Sequence, residues 1–294
     1  METKILDTEA YNKNSANIDQ LSTTEFVSLY IEEDKQVWQA LKQAEKEIAT
    51  AIDLVFNCLK VGGRLFYIGA GTSGRMGILD AVECPPTFSS DPETIQGFIA
   101  GGDNAIRKAV EGAEDDEQAG YHFVMQNLKV NDCLVGIAAS GGTPYVIGGL
   151  KAAQEKGFKA IAISNNKDAE TFKHCDHFIY LATGAEIISG STRLKAGTSQ
   201  KIVLNMISTG VMVKLGKVYG NLMVDVNASN KKLVKRACKL VKDICNCSEE
   251  EAMTALEASK LRVKQAVLKI KRGWDYETAT KKLAECGGFL GNCL

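Results

Sequence analysis

Residues Leu65–Phe88 read LFYIGAGTSGRMGILDAVECPPTF, and the fold turns on how this stretch is parsed. The short apolar run Leu65–Ile68 reads as a buried strand, bounded by glycines on both sides. It stops at a glycine-rich loop, Gly69–Gly74, and apolar residues at helical spacing follow over Met76–Val82. That helix should deliver Glu83 against a stiff Pro85–Pro86 corner. One βα unit therefore carries an anion-binding loop and an acid/base candidate.

Working outward, the same alternation repeats. Strand candidates are Leu65–Ile68, Ile95–Ala100, Cys133–Ala139, Ala160–Ser164 and Phe178–Leu181; helical candidates are Met76–Val82, Asn104–Glu111, Glu114–Leu128, Thr143–Lys156 and Lys195–Leu215. Runs such as LVGIAA and AIAIS are continuously apolar, as parallel strands covered on both faces must be. The alternation predicts a three-layer α/β/α sandwich around a parallel sheet, with ligands at the carboxyl ends of the strands. Upstream, residues 1–22 lack periodicity and read as an extended arm. Thr23 or Thr24 can cap a helix, and the acidic Glu32-Glu33-Asp34 patch marks a break between two. Downstream of about Asn230 strands vanish, leaving amphipathic stretches Lys231–Ile244, Glu249–Leu256, Lys260–Ile270 and Tyr276–Cys286, with a capping box at Ser248–Glu251. The expected organisation is an N-terminal arm and helices over 1–50, an α/β ligand-binding domain over 51–225 and a small C-terminal helical domain over 226–294.

Composition removes several classes of function. The 294 residues carry a net charge of −1 with no basic block, against phosphate-driven nucleic-acid binding. No apolar run approaches the roughly 20 residues a membrane span needs. The first 19 residues hold no apolar core of a secretory signal. Nine cysteines in no regular framework are expected as reduced thiols in a cytoplasmic protein. Cys245 and Cys247 are too close for a metal-binding pair, and His122, His174 and His177 have no complementary ligands in sequence; no metal or other cofactor is expected.

The loop Gly69–Gly74 has the form GxGxxG, yet no acidic residue closes the second strand as a dinucleotide fold requires. Thr72, Ser73 and backbone N–H groups from Gly71 onward suit a phosphate monoester at a helix N-terminus, the alternatives being a dinucleotide or a tight structural turn. A second loop, Ala138–Pro144, repeats the chemistry: Ser140 and Thr143 bring hydroxyls, Gly141 and Gly142 allow close backbone approach. Its plain alternative is an ordinary helix cap. Glu83 is flanked by apolar residues, so partial burial would raise its pKa and suit it to general-acid work; otherwise it is a solvated carboxylate. Glu114 opens an acidic run that complements a helix N-terminus, a structural role on its own terms. Ser191 and Lys195, in the polar segment Gly184–Lys201, either close the site over an anion or cap the long helix after it.

With these residues in view, GAGTSGR…LDAVECPPTF, IAGG…AVEGAEDD, AASGGTP and GSTRLKAGTSQK together resemble the N-acetylmuramic acid 6-phosphate etherases of the sugar-isomerase (SIS) superfamily. The likeness runs from Asn17 to Phe289. It implies cleavage of a D-lactyl ether to give N-acetylglucosamine 6-phosphate and D-lactate, without a cofactor, in a homodimer that recovers cell-wall sugar. The glutamates it implies for the chemistry match Glu83 and Glu114. It implies a carboxylate base that takes the C2 proton, assigned to Glu114, and an acid that protonates departing lactate, assigned to Glu83. Two rivals share the phosphate loops: an aldose–ketose isomerase, which would want a histidine for ring opening, and a non-catalytic phosphosugar sensor such as the glucokinase regulatory protein, which is longer and has a duplicated SIS domain.

Overall fold

The computed structural model describes residues 6–226 and 230–294. Two compact units emerge, one formed by residues up to Val82 together with Glu93–Ser208, the other by Glu83–Pro92 with Thr209–Leu294.

The first unit is built on five strands: β1 (Leu65–Gly69), β2 (Ile95–Ile99), β3 (Cys133–Ile137), β4 (Lys159–Ser164) and β5 (His177–Tyr180). All pair in parallel in the order β2-β1-β3-β4-β5. Every residue of β1 and β3 is buried, so these central strands have no polar face to show. The helices are α1 (Thr23–Gln43), α2 (Glu45–Lys60), α3 (Gly71–Phe88), α4 (Asn104–Arg107), α5 (Glu117–Asn127), α6 (Pro144–Lys156) and α7 (Lys195–Lys214). Phe66, Ile68, Leu134 and Ala160 on one face of the sheet share a core with Val124 of α5 and Val146 and Leu150 of α6. The intervening Tyr67 points to the other face, where Gly77 lets α3 in: a methyl there would lie 2.9 Å from the Tyr67 Cβ. The three-layer α/β reading is the observed architecture.

Local departures have local causes. Ser22, not Thr23 or Thr24, caps α1, in a reciprocal capping box with Glu25. The acidic patch does not break α1, because Glu33 is an inward-facing residue, 3% exposed, that meets the Lys195 ammonium at 2.8 Å; the break comes at Ala44. Residues 7–20 form three single 3₁₀ turns rather than an extended arm, and Thr8 within them is fully buried. Pro85 and Pro86 are not a corner but lie inside the last turn of α3. They remove the amide donors that would meet the carbonyls of Ala81 and Val82, and the helix runs out within three residues. Pro144 opens a helix, at the first position of α6.

In the second unit, α8 (Lys231–Cys245), α9 (Glu249–Ala258), α10 (Val263–Arg272) and α11 (Tyr276–Glu285) enclose one apolar core with Val241, Leu256, Val267 and Leu283 at its centre. A short antiparallel pair, β6 (Val218–Tyr219) and β7 (Leu222–Met223), precedes them and had no sequence signal. Ser248 accepts from the Glu251 N–H at the start of α9. Among the described residues, no helix is long and apolar enough to cross a membrane.

Candidate phosphosugar site

The strand order reverses direction between β1 and β3, which opens a crevice at their carboxyl ends. Gly69 and Ile137 end these strands in register, so both glycine loops leave the sheet at the same edge. The first loop is shorter than its sequence suggests. The helix α3 begins at Gly71, whose φ of +52° is a conformation that glycine adopts freely. Thr72 is partly exposed. Ser73 is 7% exposed and its hydroxyl donates to Gln200 Oε1 at 2.8 Å, so it anchors the loop from behind.

In the second loop, Ser140 Oγ accepts from the Gly142 N–H at 3.2 Å. Gly141 has φ +72°, and a Cβ there would come within 2.2 Å of Ala169 Cβ; only glycine fits. Thr143 occupies the N-cap position of α6 without a side-chain cap bond, while its carbonyl accepts from Val146 and Ile147. The hydroxyl is thus not spent on capping, which separates this loop from an ordinary helix start. Beside it, burial pushes the Tyr145 phenol up to about 12, so the ring is neutral across the physiological range.

The acidic turn differs most from expectation. The helix expected over Asn104–Glu111 stops at Arg107, because the Arg75 guanidinium takes the carbonyls that would continue it: Nη2 donates to Ala105 O at 2.7 Å and Nε to Ile106 O at 2.8 Å. The chain then turns into a 3₁₀ segment, Ala113–Asp115, and α5 starts only at Glu117, capped by the Asp116 carboxylate on the Ala119 N–H. Glu114 therefore sits in a turn ahead of the helix and not within it. Its side chain is exposed and lines a cavity of about 210 Å³ with Gly71, Arg75, Ala100 and Ala113. The turn is seated on α6 through backbone contact between α5 and α6: a Cβ at Gly120 would lie 1.8 Å from Tyr145 O, and one at Gly148 1.9 Å from Glu117 O.

Ser191 lies in the turn before α7, half-exposed, and Gly197 one turn later brings this segment against the first loop, 3.1 Å separating an added methyl from Thr72 Cγ2. Lys195 is placed elsewhere. Its Nζ, 1% exposed, donates to Glu33 Oε2 at 2.8 Å and to Gln36 Oε1 at 2.9 Å, so its charge is spent on α1 and not on an anion. Glu186 caps α7 by accepting from the Lys195 and Ala196 N–H groups. Glu83 belongs to the second unit and its side chain is exposed, which removes the burial on which its acid character was argued.

The sequence places Arg75 directly after the first glycine loop but gives no sign that it shapes the turn that carries Glu114; Gln200, Asn165 and Asn166 carry no signal of a site role. Arg75→Ala is expected to lower kcat/KM for the reaction proposed below about tenfold, roughly 1.4 kcal/mol of transition-state stabilisation. Steady-state kinetics check this; an unchanged kcat/KM would mean that the turn holds its shape without the guanidinium.

Comparison with known proteins agrees with this layout. Residues 107–209 match the SIS domain model, residues 47–154 the glucokinase regulatory protein N-terminal SIS domain, and residues 220–281 the C-terminal lid domain of glucokinase regulatory protein. The N-acetylmuramic acid 6-phosphate etherase of Clostridium acetobutylicum is 48% identical over 290 residues, covering 98% of this chain and 96% of its own. The protein of the same name from Salmonella agona is 49% identical over 290 residues, covering 98% of both. The phosphoheptose isomerase of Neisseria gonorrhoeae superposes with a TM-score of 0.52 at 18% identity, covering 65% of this chain and 98% of that one, a likeness of fold alone.

Proposed function

The chain belongs to the N-acetylmuramic acid 6-phosphate etherase family and is an etherase of that substrate, and we propose that Glu114 and Glu83 carry its chemistry. The observation that carries this reading is the cavity shared by the first glycine loop and Glu114. It puts a carboxylate beside a helix N-terminus suited to a phosphate.

In the ring-opened sugar the C2 proton is acidified by the C1 aldehyde. Glu114, as carboxylate, removes it to give an enolate. The enolate re-forms the carbonyl and expels the lactyl oxygen from C3, which Glu83 protonates as it leaves. Water then adds at C3 of the unsaturated aldehyde and a proton returns to C2. The sum is one ether bond and one water consumed, giving N-acetylglucosamine 6-phosphate and D-lactate. Proton transfer by paired carboxyls of this kind supplies about 10²–10⁴-fold. Gly71, Thr72, Ser140, Gly141, Gly142 and Thr143 are proposed to bind the phosphosugar, with Ser191 closing over it. Ser73 and Lys195 act from behind the site, one on the loop and one on α7.

We further infer a cytoplasmic homodimer. The cysteine content supports the first, none of the nine being in a disulfide. Family likeness supports the second.

The mechanism is tested by running the reaction in heavy water enriched in oxygen-18. Deuterium at C2 and oxygen-18 at C3 of the product are expected, with the lactate oxygen unlabelled. Oxygen-18 in lactate instead would mean direct displacement at the lactyl carbon and would end the elimination scheme.

A further inference from the structure

Behind the two glycine loops lies a run of buried amides with no role so far. Asn165 and Asn166 follow β4, with exposures of 0% and 2%. Asn166 Nδ2 donates to Ala139 O at 3.0 Å and to Ser140 O at 3.1 Å, both carbonyls of the second loop. The Asn165 N–H and Ser164 Oγ also donate to Ala139 O, at 3.1 and 3.2 Å. Asn165 reaches the first loop: its Oδ1 accepts from Gln200 Nε2 at 2.9 Å, and Gln200 Oε1 accepts from Ser73 Oγ at 2.8 Å. The Asn165 amide is fixed in turn by Thr183 Oγ1 and Ser199 Oγ, both at 3.0 Å. Thr8 clamps Asn166 from the N-terminal segment, its N–H donating to Oδ1 at 3.2 Å and its hydroxyl accepting from Nδ2 at 3.0 Å.

We propose that Asn165 and Asn166 are positioning residues for phosphosugar binding, two adjacent amides that hold both glycine loops at a fixed spacing, with Thr8 as their clamp. Burying a primary amide is costly unless it is fully bonded, and apolar residues would fill the same space more cheaply. These amides bond to loop carbonyls. A trans peptide points its N–H opposite to the preceding C=O. Drawing Ala139 O into the core therefore turns the Ser140 N–H away from the core, toward the side an anion approaches. Among the described residues no peptide is cis.

The inference rests on the assignment of the two loops to a phosphosugar. Asn166→Ala, Gln200→Met and Thr8→Val are compared with the parent protein for melting temperature, for KM and kcat in lactate release, and for binding of inorganic phosphate by calorimetry. Asn166→Ala and Gln200→Met are expected to raise KM about tenfold and weaken phosphate about as much, with kcat within threefold. Thr8→Val, which loses one hydroxyl, should fall between them and the parent. A purely structural role would lower the melting temperature and leave KM and phosphate affinity of the folded variant unmoved; that result, in any variant that folds, overturns the proposal. If Asn166→Ala does not fold, the milder two decide it. Should the parent bind phosphate yet release no lactate, the etherase mechanism fails while the phosphate arm still judges the amides.

Discussion

Glu114→Gln is expected to lower kcat for lactate release by about 10²–10⁴-fold with little change in KM. Glutamine keeps the size and the hydrogen-bonding reach of the side chain but cannot accept the C2 proton. Because Glu114 is exposed in a short turn and makes no structural ion pair among those described, the variant should melt within about 0.5 kcal/mol of the parent. Loss of activity would then be chemical. Glu83→Gln should be impaired to a similar degree, and the double variant hardly more than either single one, as for residues acting on one transition state. Solvent deuterium separates the two roles. With Glu83→Gln, the C2 proton should still exchange although the ether survives; with Glu114→Gln, exchange should stop as well. The opposite pattern would exchange the two assignments, and undiminished lactate from both variants would end the two-carboxylate mechanism.

Lys195→Ala is expected to cost about 3–5 kcal/mol of stability, the usual consequence of leaving one partner of a buried ion pair alone. The pair is deeply set, at 1% and 3% exposure, and joins the start of α7 to the middle of α1. Burial alone would push the Glu33 carboxyl up. Hydrogen bonds from Lys195, Asn14 and Asn12, with the charge of Lys195, outweigh it and hold the carboxyl below its ordinary value of 4.5. A depressed carboxylate stabilises the fold at pH above its unfolded value, and that contribution is lost as pH falls through the lower folded value. In Lys195→Ala the Glu33 carboxyl is no longer held down, so its deficit in stability against the parent should be largest near neutral pH and narrow as acid protonates the stranded carboxylate. Replacing both partners, Glu33→Leu with Lys195→Met, should recover most of the loss, since neither charge is then stranded. Thermal melts across pH 3–7 check all three statements. A normally stable Lys195→Ala protein with a raised KM would instead return this residue to the ligand.

The sheet was legible because its signal is redundant. The central strands β1 and β3 carry their burial in every residue, and each is followed by a glycine loop that leads into a helix. Both glycine loops were legible for the same reason. What sequence could not deliver is decided by residues far apart in the chain. The length of α4 depends on Arg75, some thirty residues earlier, capturing its carbonyls. Glu33 reads as part of a helix break until Lys195, 162 residues later, is seen beside it. Lys195 reads as either an anion ligand or part of a helix cap until Glu33 is seen beside it. The two prolines in α3 were read by local propensity, which makes them a corner; in the structure they fall in the final turn, where only two carbonyls lose donors. On its acidic neighbours alone Glu114 reads as part of a helix N-terminus; only the family resemblance marks it for catalysis.

The glycines between α5 and α6 bear on how this enzyme can change over time. Gly120 and Gly148 touch carbonyl oxygens of the facing helix, so any side chain at either position must push backbone apart. The acidic turn and the second glycine loop hang from these two helices, and their separation is thereby inherited as a unit. Gly142 is different: an added Cβ there meets nothing within 4 Å. Side chains can drift at the lip of the loop, one residue at a time, while the distance from the acidic turn to the second glycine loop stays locked in the main chain.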